Sequence, residues 1–162
     1  IQLLESYLLK SEDSSLILVK YKLAALNEKQ YPLKAEKFYK QLLIDTDKSV
    51  GALNNVAWFY YTQQRYIEGK GYAEQAAKKA PELAAVQNTL GVILLELGEV
   101  HRANNHLKSS VRIEPDNNKY KIWLARGLLL EEDLELAENL RVEINIGALT
   151  PEDKALFDKV FK

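Results

Sequence analysis

The residue types that perform acid–base, nucleophilic or metal chemistry are few in this chain and poorly spaced for it. Its 162 residues include two histidines, His101 and His106, and no cysteine. Five residues apart on a helix, the two imidazoles point about 140° from each other, whereas a helical metal pair needs a spacing of three or four. The hydroxyls of Ser109 and Ser110 have no general base placed beside them. We therefore expect a protein that is not an enzyme, with no cofactor and no metal site.

Two further motifs could be mistaken for ligand sites. The acidic run Glu131-Glu132-Asp133 lacks the alternating spacing and the glycine of a calcium-binding loop. The segment Gly69-Lys70-Gly71 lacks the preceding strand and the full spacing of a phosphate-binding loop. We interpret the first as a solvated turn between helices and the second as a place of close helix packing.

Composition argues against several other classes of protein. Lys and Arg total 22 and Asp and Glu total 23, so the net charge of −1 is too small for general binding to nucleic acid or anionic membranes. The longest apolar runs, 56–61 and 90–95, are six residues long, whereas a membrane-spanning helix needs roughly 20. At 47% hydrophobic, the chain can form the core of one domain. Because it begins at Ile1 and contains no methionine, we expect it to be a piece of a longer protein.

A repeat of 34 residues organises the sequence. Small residues recur at this spacing, at Ala35, Gly69, Ala103 and Ala137. Within one repeat, apolar residues recur every three or four positions in two stripes, and Gly98-Glu99 separates the stripes of the third repeat. This pattern predicts a helix, a tight turn and a second helix, with no segment showing the alternation of a strand. The predicted class is all-α, built from stacked helical hairpins.

The same register predicts the organisation of a single domain. Residues 1–15 are the second half of an incomplete repeat, and complete repeats span 16–49, 50–83, 84–117 and 118–149. Residues 150–162 are predicted to form a capping helix, with Thr150 as the N-cap and Pro151 at the first helical position. One apolar stripe of this helix would cover the last repeat; its residues are Leu156, Phe157, Val160 and Phe161.

The repeat resembles that of tetratricopeptide repeat (TPR) proteins. The third repeat matches the family pattern best, with Leu90, Gly91, Leu94, Ala103, Leu107, Ser110 and Pro115. The first repeat departs from it, because Lys22 occupies a bulky apolar position and Asp47 the proline position. The resemblance implies a right-handed α-solenoid that serves as a protein–protein interaction scaffold. In that family the first helices of the repeats line a concave groove.

The resemblance also assigns residues to that groove. The predicted partner-binding residues are Asn54, Trp58, Tyr61, Asn88, Val92, Leu95, Ile122 and Arg126. Asn54 and Asn88 occupy the same position one repeat apart, and a side-chain amide can both donate to and accept from the backbone of an extended peptide. Trp58 and Tyr61 could serve as aromatic anchors. The alternative is that the amides bond only within the array and that Trp58 packs between repeats.

The sequence also bears on which kind of TPR protein this is. The clamp that holds a C-terminal carboxylate in some of them is incomplete: Lys20 and Asn55 match, but Ala24, Ala85 and Thr89 replace the other members. This clamp is therefore not expected here.

A narrower resemblance involves two segments of the chain. Residues 52–61 and 84–99 are similar to the C-terminal repeats of bacterial PEP-CTERM/exosortase-associated TPR lipoproteins, which are linked to exopolysaccharide production and export. It implies a periplasmic or outer-membrane location, with the cytoplasm as the alternative. Two other functions stay open: a structural spacer or self-association module, and the regulatory arm of a larger enzyme.

Overall fold

The computed structural model describes Ser6 and residues 16–162, so the predicted half repeat at 1–15 lies, apart from Ser6, outside the described residues. Residues 16–162 contain nine α-helices, one 3₁₀ turn and no strand. They belong to two compact units: an N-terminal unit that ends at Lys79 and a C-terminal unit that spans Ala80–Lys162. The predicted all-α class is confirmed for the described part of the chain.

Four helices make up the described part of the N-terminal unit. They are α1 (Ile17–Asn27), α2 (Pro32–Asp45), α3 (Val50–Thr62) and α4 (Tyr66–Lys79). Pro32 begins α2, where its fixed φ and missing N–H are tolerated. Phe38, Leu53 and Phe59 are fully buried between these helices, and the fully buried Ala35 and Ala57 are small enough to let helix backbones approach.

A buried ion pair joins α1 to α2. Lys20 is completely buried, and its Nζ donates to Oδ2 of Asp45 at 2.5 Å. The other oxygen of Asp45 accepts a hydrogen bond from Nε2 of Gln41 at 2.8 Å. A buried charge requires such a partner because desolvation of an isolated ion is costly. Lys20 is therefore held in the interior by its pairing with Asp45.

Five helices make up the C-terminal unit. They are α5 (Ala84–Glu96), α6 (Val100–Ile113), α7 (Asn118–Leu130), α8 (Leu134–Glu143) and α9 (Pro151–Phe161), with a 3₁₀ turn at Ile146–Ala148. Residues 86–95 of α5 are all buried, and they include the polar side chains of Gln87, Asn88 and Thr89. The contacts of Gly91 show why its position in the repeat needs a small residue. A Cβ there would lie 2.6 Å from Cγ of Leu107 on α6.

The last helix begins as its sequence predicts. Oγ1 of Thr150 accepts a hydrogen bond from the backbone N–H of Asp153 at 3.1 Å, and Pro151 occupies the first turn. Phe157 is buried in a cluster with Ile122 and Ile144, so α9 covers the apolar face of α7. The described helices are all too short or too polar to traverse a lipid bilayer.

Candidate partner-binding site

Three of the predicted binding residues share one side of α3. Asn54, Trp58 and Tyr61 follow one another at spacings of four and three, and all three are half-buried. The ring centroids of Trp58 and Tyr61 are 4.8 Å apart, and Tyr61 lies 5.9 Å from the ring of Tyr66 at the start of α4. We call Asn54, Trp58, Tyr61 and Tyr66 the aromatic face. It offers large, partly accessible rings of the kind that concentrate binding energy at interfaces.

Tyr66 is the member of the aromatic face that the sequence analysis missed. TPR groove positions lie on the first helix of each repeat, whereas Tyr66 begins the second helix of its hairpin. The aromatic density of the segment from Trp58 to Tyr66 was the available signal, since aromatic side chains tend to pack against one another.

A polar network fixes the helices around the aromatic face. Glu36 on α2 accepts hydrogen bonds from the hydroxyl of Tyr60 at 2.8 Å and from Nη1 of Arg65 at 2.7 Å. Burial opposes ionisation of Glu36, but bonds from Lys40, Tyr60 and Arg65 outweigh it and lower the pKa of this carboxyl to about 2. Arg65 also lies over the ring of Tyr60, 4.5 Å from its centroid. The network therefore ties α2 to α3 and to the α3–α4 turn.

The side-chain amide of Asn54 carries an unused acceptor. Its Oδ1 is buried and has no hydrogen-bond partner among the residues that the structure describes. Asn88, one repeat later on α5, is in the same condition: its Oδ1 is buried without a partner in the described chain. The alternative that both amides bond only within the array does not account for these two oxygens. Asn88 is much the less accessible of the two, with 4% of its surface exposed.

Three predicted binding residues of the C-terminal unit do not face solvent. Val92 and Ile122 are completely buried and Leu95 is nearly so. Ile122 lies beneath α9, in contact with Phe157 and Ile144, and the two α5 residues belong to a helix segment that is covered on every side. The assignment of these three residues to partner binding stays a prediction, and in this structure their side chains are buried. The family pattern assigns a position to the groove from its place in the repeat and takes no account of the helices that cover it here.

Arg126 is partly exposed but already has partners. Its Nη1 lies 2.6 Å from Oε1 of Glu96, and its guanidinium carbon lies 5.4 Å from the ring centroid of Trp123. The ion pair joins α7 to the end of α5. A partner that recruited Arg126 would have to compete with Glu96 for its donors.

The two histidines contact different residues. Nδ1 of His101 lies 3.4 Å from Oε1 of Glu131, and Nδ1 of His106 lies 2.7 Å from Oε1 of Gln87. In the part of the chain that the structure describes, no three metal-ligating side chains come together.

Comparison with known proteins bears on the fold. No protein-family model matches the chain, and no curated protein matches it. Among solved structures, PilF of Pseudomonas aeruginosa covers 91% of this chain and 74% of its own, with 21% identity and a TM-score of 0.74. YrrB, described as a TPR protein with an unusual peptide-binding site, covers 94% of this chain and 83% of its own, with 17% identity and a TM-score of 0.66. The chain has the TPR fold.

A third likeness supports the same assignment. MamA of Desulfovibrio magneticus covers 83% of this chain and 75% of its own, with 17% identity and a TM-score of 0.71. The predicted resemblance to TPR proteins is thus confirmed as a likeness of fold. The narrower resemblance to PEP-CTERM/exosortase-associated lipoproteins stays a prediction.

Proposed function

We propose that this TPR protein is a non-enzymatic scaffold that binds an extended segment of a partner protein through the aromatic face. The observation that carries the proposal is the buried, unsatisfied Oδ1 of Asn54 beside the Trp58–Tyr61 pair. The same condition at the equivalent Asn88 supports a role for this repeat position. The description of YrrB as having a peptide-binding site supports the choice of partner class.

The chemistry of the face fits an extended backbone. The half-buried side chain of Asn54 would turn its amide outward, so that an N–H of the bound segment donates to Oδ1. Such a bond contributes about 0.5–1.5 kcal/mol net. Apolar side chains of the segment would cover the rings of Trp58 and Tyr61, which supply most of the contact area. The assignments of Asn88 and Arg126, in the C-terminal unit, stay separate predictions, because Asn88 is buried and Arg126 already has a partner.

Photo-crosslinking followed by affinity measurement tests the proposal. Tyr61→p-benzoylphenylalanine places the crosslinker on the aromatic face, and Tyr31→p-benzoylphenylalanine is the matched control on an exposed tyrosine of the same unit. We expect a partner that crosslinks from position 61 and not from position 31.

A peptide from the crosslinked region of the partner should then bind the wild type and bind Trp58→Ala at least about tenfold more weakly, as expected for an interface anchor. Tyr31→Ala should bind like the wild type. Equal crosslinking from both positions, or equal affinity of Trp58→Ala and wild type, would contradict the proposal.

The resemblance of segments 52–61 and 84–99 supports a finer proposal, that the partner takes part in exopolysaccharide production or export. The identity of the crosslinked protein tests it, because a partner from any other process would refute the finer proposal and leave the scaffold function intact.

A further inference from the structure

The outer side of α2 carries apolar and basic side chains in one stripe. Leu33, Lys37, Lys40 and Ile44 follow one another at spacings of four, three and four, which places them on the same side of the helix. Leu33 is 77% exposed and Ile44 72% exposed, and both lysines are exposed between them. We call these four residues the α2 stripe. Large apolar side chains grouped on an exposed helix face are typical of an interaction surface.

The turn between α7 and α8 also combines exposed aliphatic side chains with charged ones, but its charges are negative. Leu130 is 54% exposed and Leu134 64% exposed, and neither is covered by another element. The exposed carboxylates of Glu132 and Glu135 lie beside them in the sequence, in the segment 130–135. We call this segment the acidic turn. It combines exposed leucines with carboxylates, as the α2 stripe combines exposed aliphatic residues with lysines.

The charge difference extends beyond these two surfaces. Residues 1–79 contain 12 Lys and Arg and 9 Asp and Glu, a net charge of +3, whereas residues 80–162 contain 10 and 14, a net charge of −4. The near-neutral total therefore conceals two parts of opposite sign. Opposite potentials on two surfaces favour encounter and fix which surface meets which.

We propose that the α2 stripe of one copy of this chain docks on the acidic turn of a second copy. The occupant is a second copy because both complementary surfaces belong to the same chain and are present in equal amounts. Leu33 and Ile44 would pack on Leu130 and Leu134 and exclude water, while Lys37 meets the carboxylates and Lys40 keeps its ion pair with Glu36. Since the two surfaces differ, the contact is heterologous. Each added copy then leaves one α2 stripe and one acidic turn unoccupied at the ends of the assembly, unless the copies close into a ring.

Sedimentation equilibrium of the wild-type chain, from micromolar to millimolar protein, tests the association. At low salt the weight-average mass should rise with concentration above the 18.5 kDa of one chain. High salt should return it to that value, because the Debye length shrinks from about 30 Å at 0.01 M to about 3 Å at 1 M. A chain that stays monomeric at low salt over the whole range would overturn the proposal.

Charge-changed variants locate the contact. Lys37→Glu alters the α2 stripe and leaves the Lys40–Glu36 ion pair intact, and Lys22→Glu is the matched control, with the same change of charge at an exposed lysine of the same unit outside the stripe. The stripe variant should raise the dissociation constant about tenfold or more, since like charges would then face each other, while the control associates like the wild type. An equal loss in the control, or no loss in the stripe variant, would show that the stripe is not the contact.

A charge swap completes the test. Glu132→Lys/Glu135→Lys should also fail to associate alone, and an equimolar mixture with Lys37→Glu should recover a complex, because the unaltered acidic turn of one variant then meets the unaltered α2 stripe of the other. Circular dichroism melting of each variant confirms that it is folded. A mixture that remains monomeric while both variants are folded would overturn the pairing. None of these substitutions lies on the aromatic face, so peptide binding there is measured independently.

Discussion

At the scale of single residues, Asn104 on α6 packs tightly against Gly127 on α7 in the C-terminal unit. Asn104 is almost completely buried, and neither polar atom of its amide has a hydrogen-bond partner in the described chain. A Cβ at Gly127 would lie 1.9 Å from Oδ1 of Asn104, so only glycine fits there. The unit thus contains an unsatisfied buried amide, which costs about 1–3 kcal/mol, at the contact between α6 and α7.

We expect Gly127→Ala to lower the free energy of unfolding by about 1–3 kcal/mol, because overpacking outweighs the better helix propensity of alanine. Urea unfolding followed by circular dichroism measures the change. Gly71→Ala is the control, since a Cβ at this exposed position of α4 meets nothing within 4 Å. It should stabilise the chain by up to about 1 kcal/mol. Equal behaviour of the two variants would contradict the contact with Asn104.

The lowered pKa of Glu36 predicts that the folded chain loses stability in acid. Its pKa of about 2 in the folded chain lies below the ordinary value of 4.5, so the unfolded chain takes up the proton first as the pH falls. The stabilisation is complete above pH 5 and is lost as the pH falls from there towards 2. We expect Glu36 to contribute about 1–3 kcal/mol to this loss. Unfolding free energies of wild type and Glu36→Gln, measured from pH 7 to pH 2, should converge in acid; parallel curves would contradict the assignment.

At the scale of elements, α9 covers the apolar face of α7 in the last hairpin. It covers Ile122 with Phe157, and its position depends on the Thr150 cap and on the contact with Ile144. A terminal repeat needs such a cover because its apolar face has no further repeat to pack on.

Phe157→Ala should therefore cost about 3–5 kcal/mol of unfolding free energy, the usual loss for a buried phenylalanine. Lys159→Ala, on an exposed position of the same helix, is the control and should change stability by less than about 0.5 kcal/mol. Thermal and urea unfolding measure both variants. A small effect of Phe157→Ala would mean that α9 does not hold the core of this unit together.

At the scale of the whole molecule, the two proposed contacts, with a peptide and with a second copy, respond differently to salt. The aromatic face binds through rings and an uncharged amide, whereas the α2 stripe and the acidic turn meet through opposite charges. Raising the ionic strength should dissociate copies of the chain and leave the affinity for a bound peptide almost unchanged. Peptide titrations at low and high salt, beside sedimentation under the same conditions, check this. If peptide binding and the association of copies depended equally on salt, the proposal that only the second contact is driven by charge would be contradicted.

The sequence by itself determined the helical hairpins, their repeat and the start of the last helix. A period of 34 with small residues at Ala35 and Ala103, and the Thr150-Pro151 start signal, depend on local backbone preferences and helix periodicity, which are properties of the chain. The same register predicted Asn54, Trp58 and Tyr61 as neighbours on one helix side, because spacing on a helix fixes direction.

Only the tertiary structure decided which of those positions are accessible. Val92 and Asn54 have equivalent status in the family pattern, yet Val92 is completely buried and Asn54 is half-exposed. Ile122 is covered by α9, and Lys20 is paired with Asp45. Tyr66 joins the aromatic face from a different helix. The burial and the partners of a side chain depend on which elements pack over it. These contacts join residues far apart in the sequence, whereas helix periodicity relates only residues within one helix.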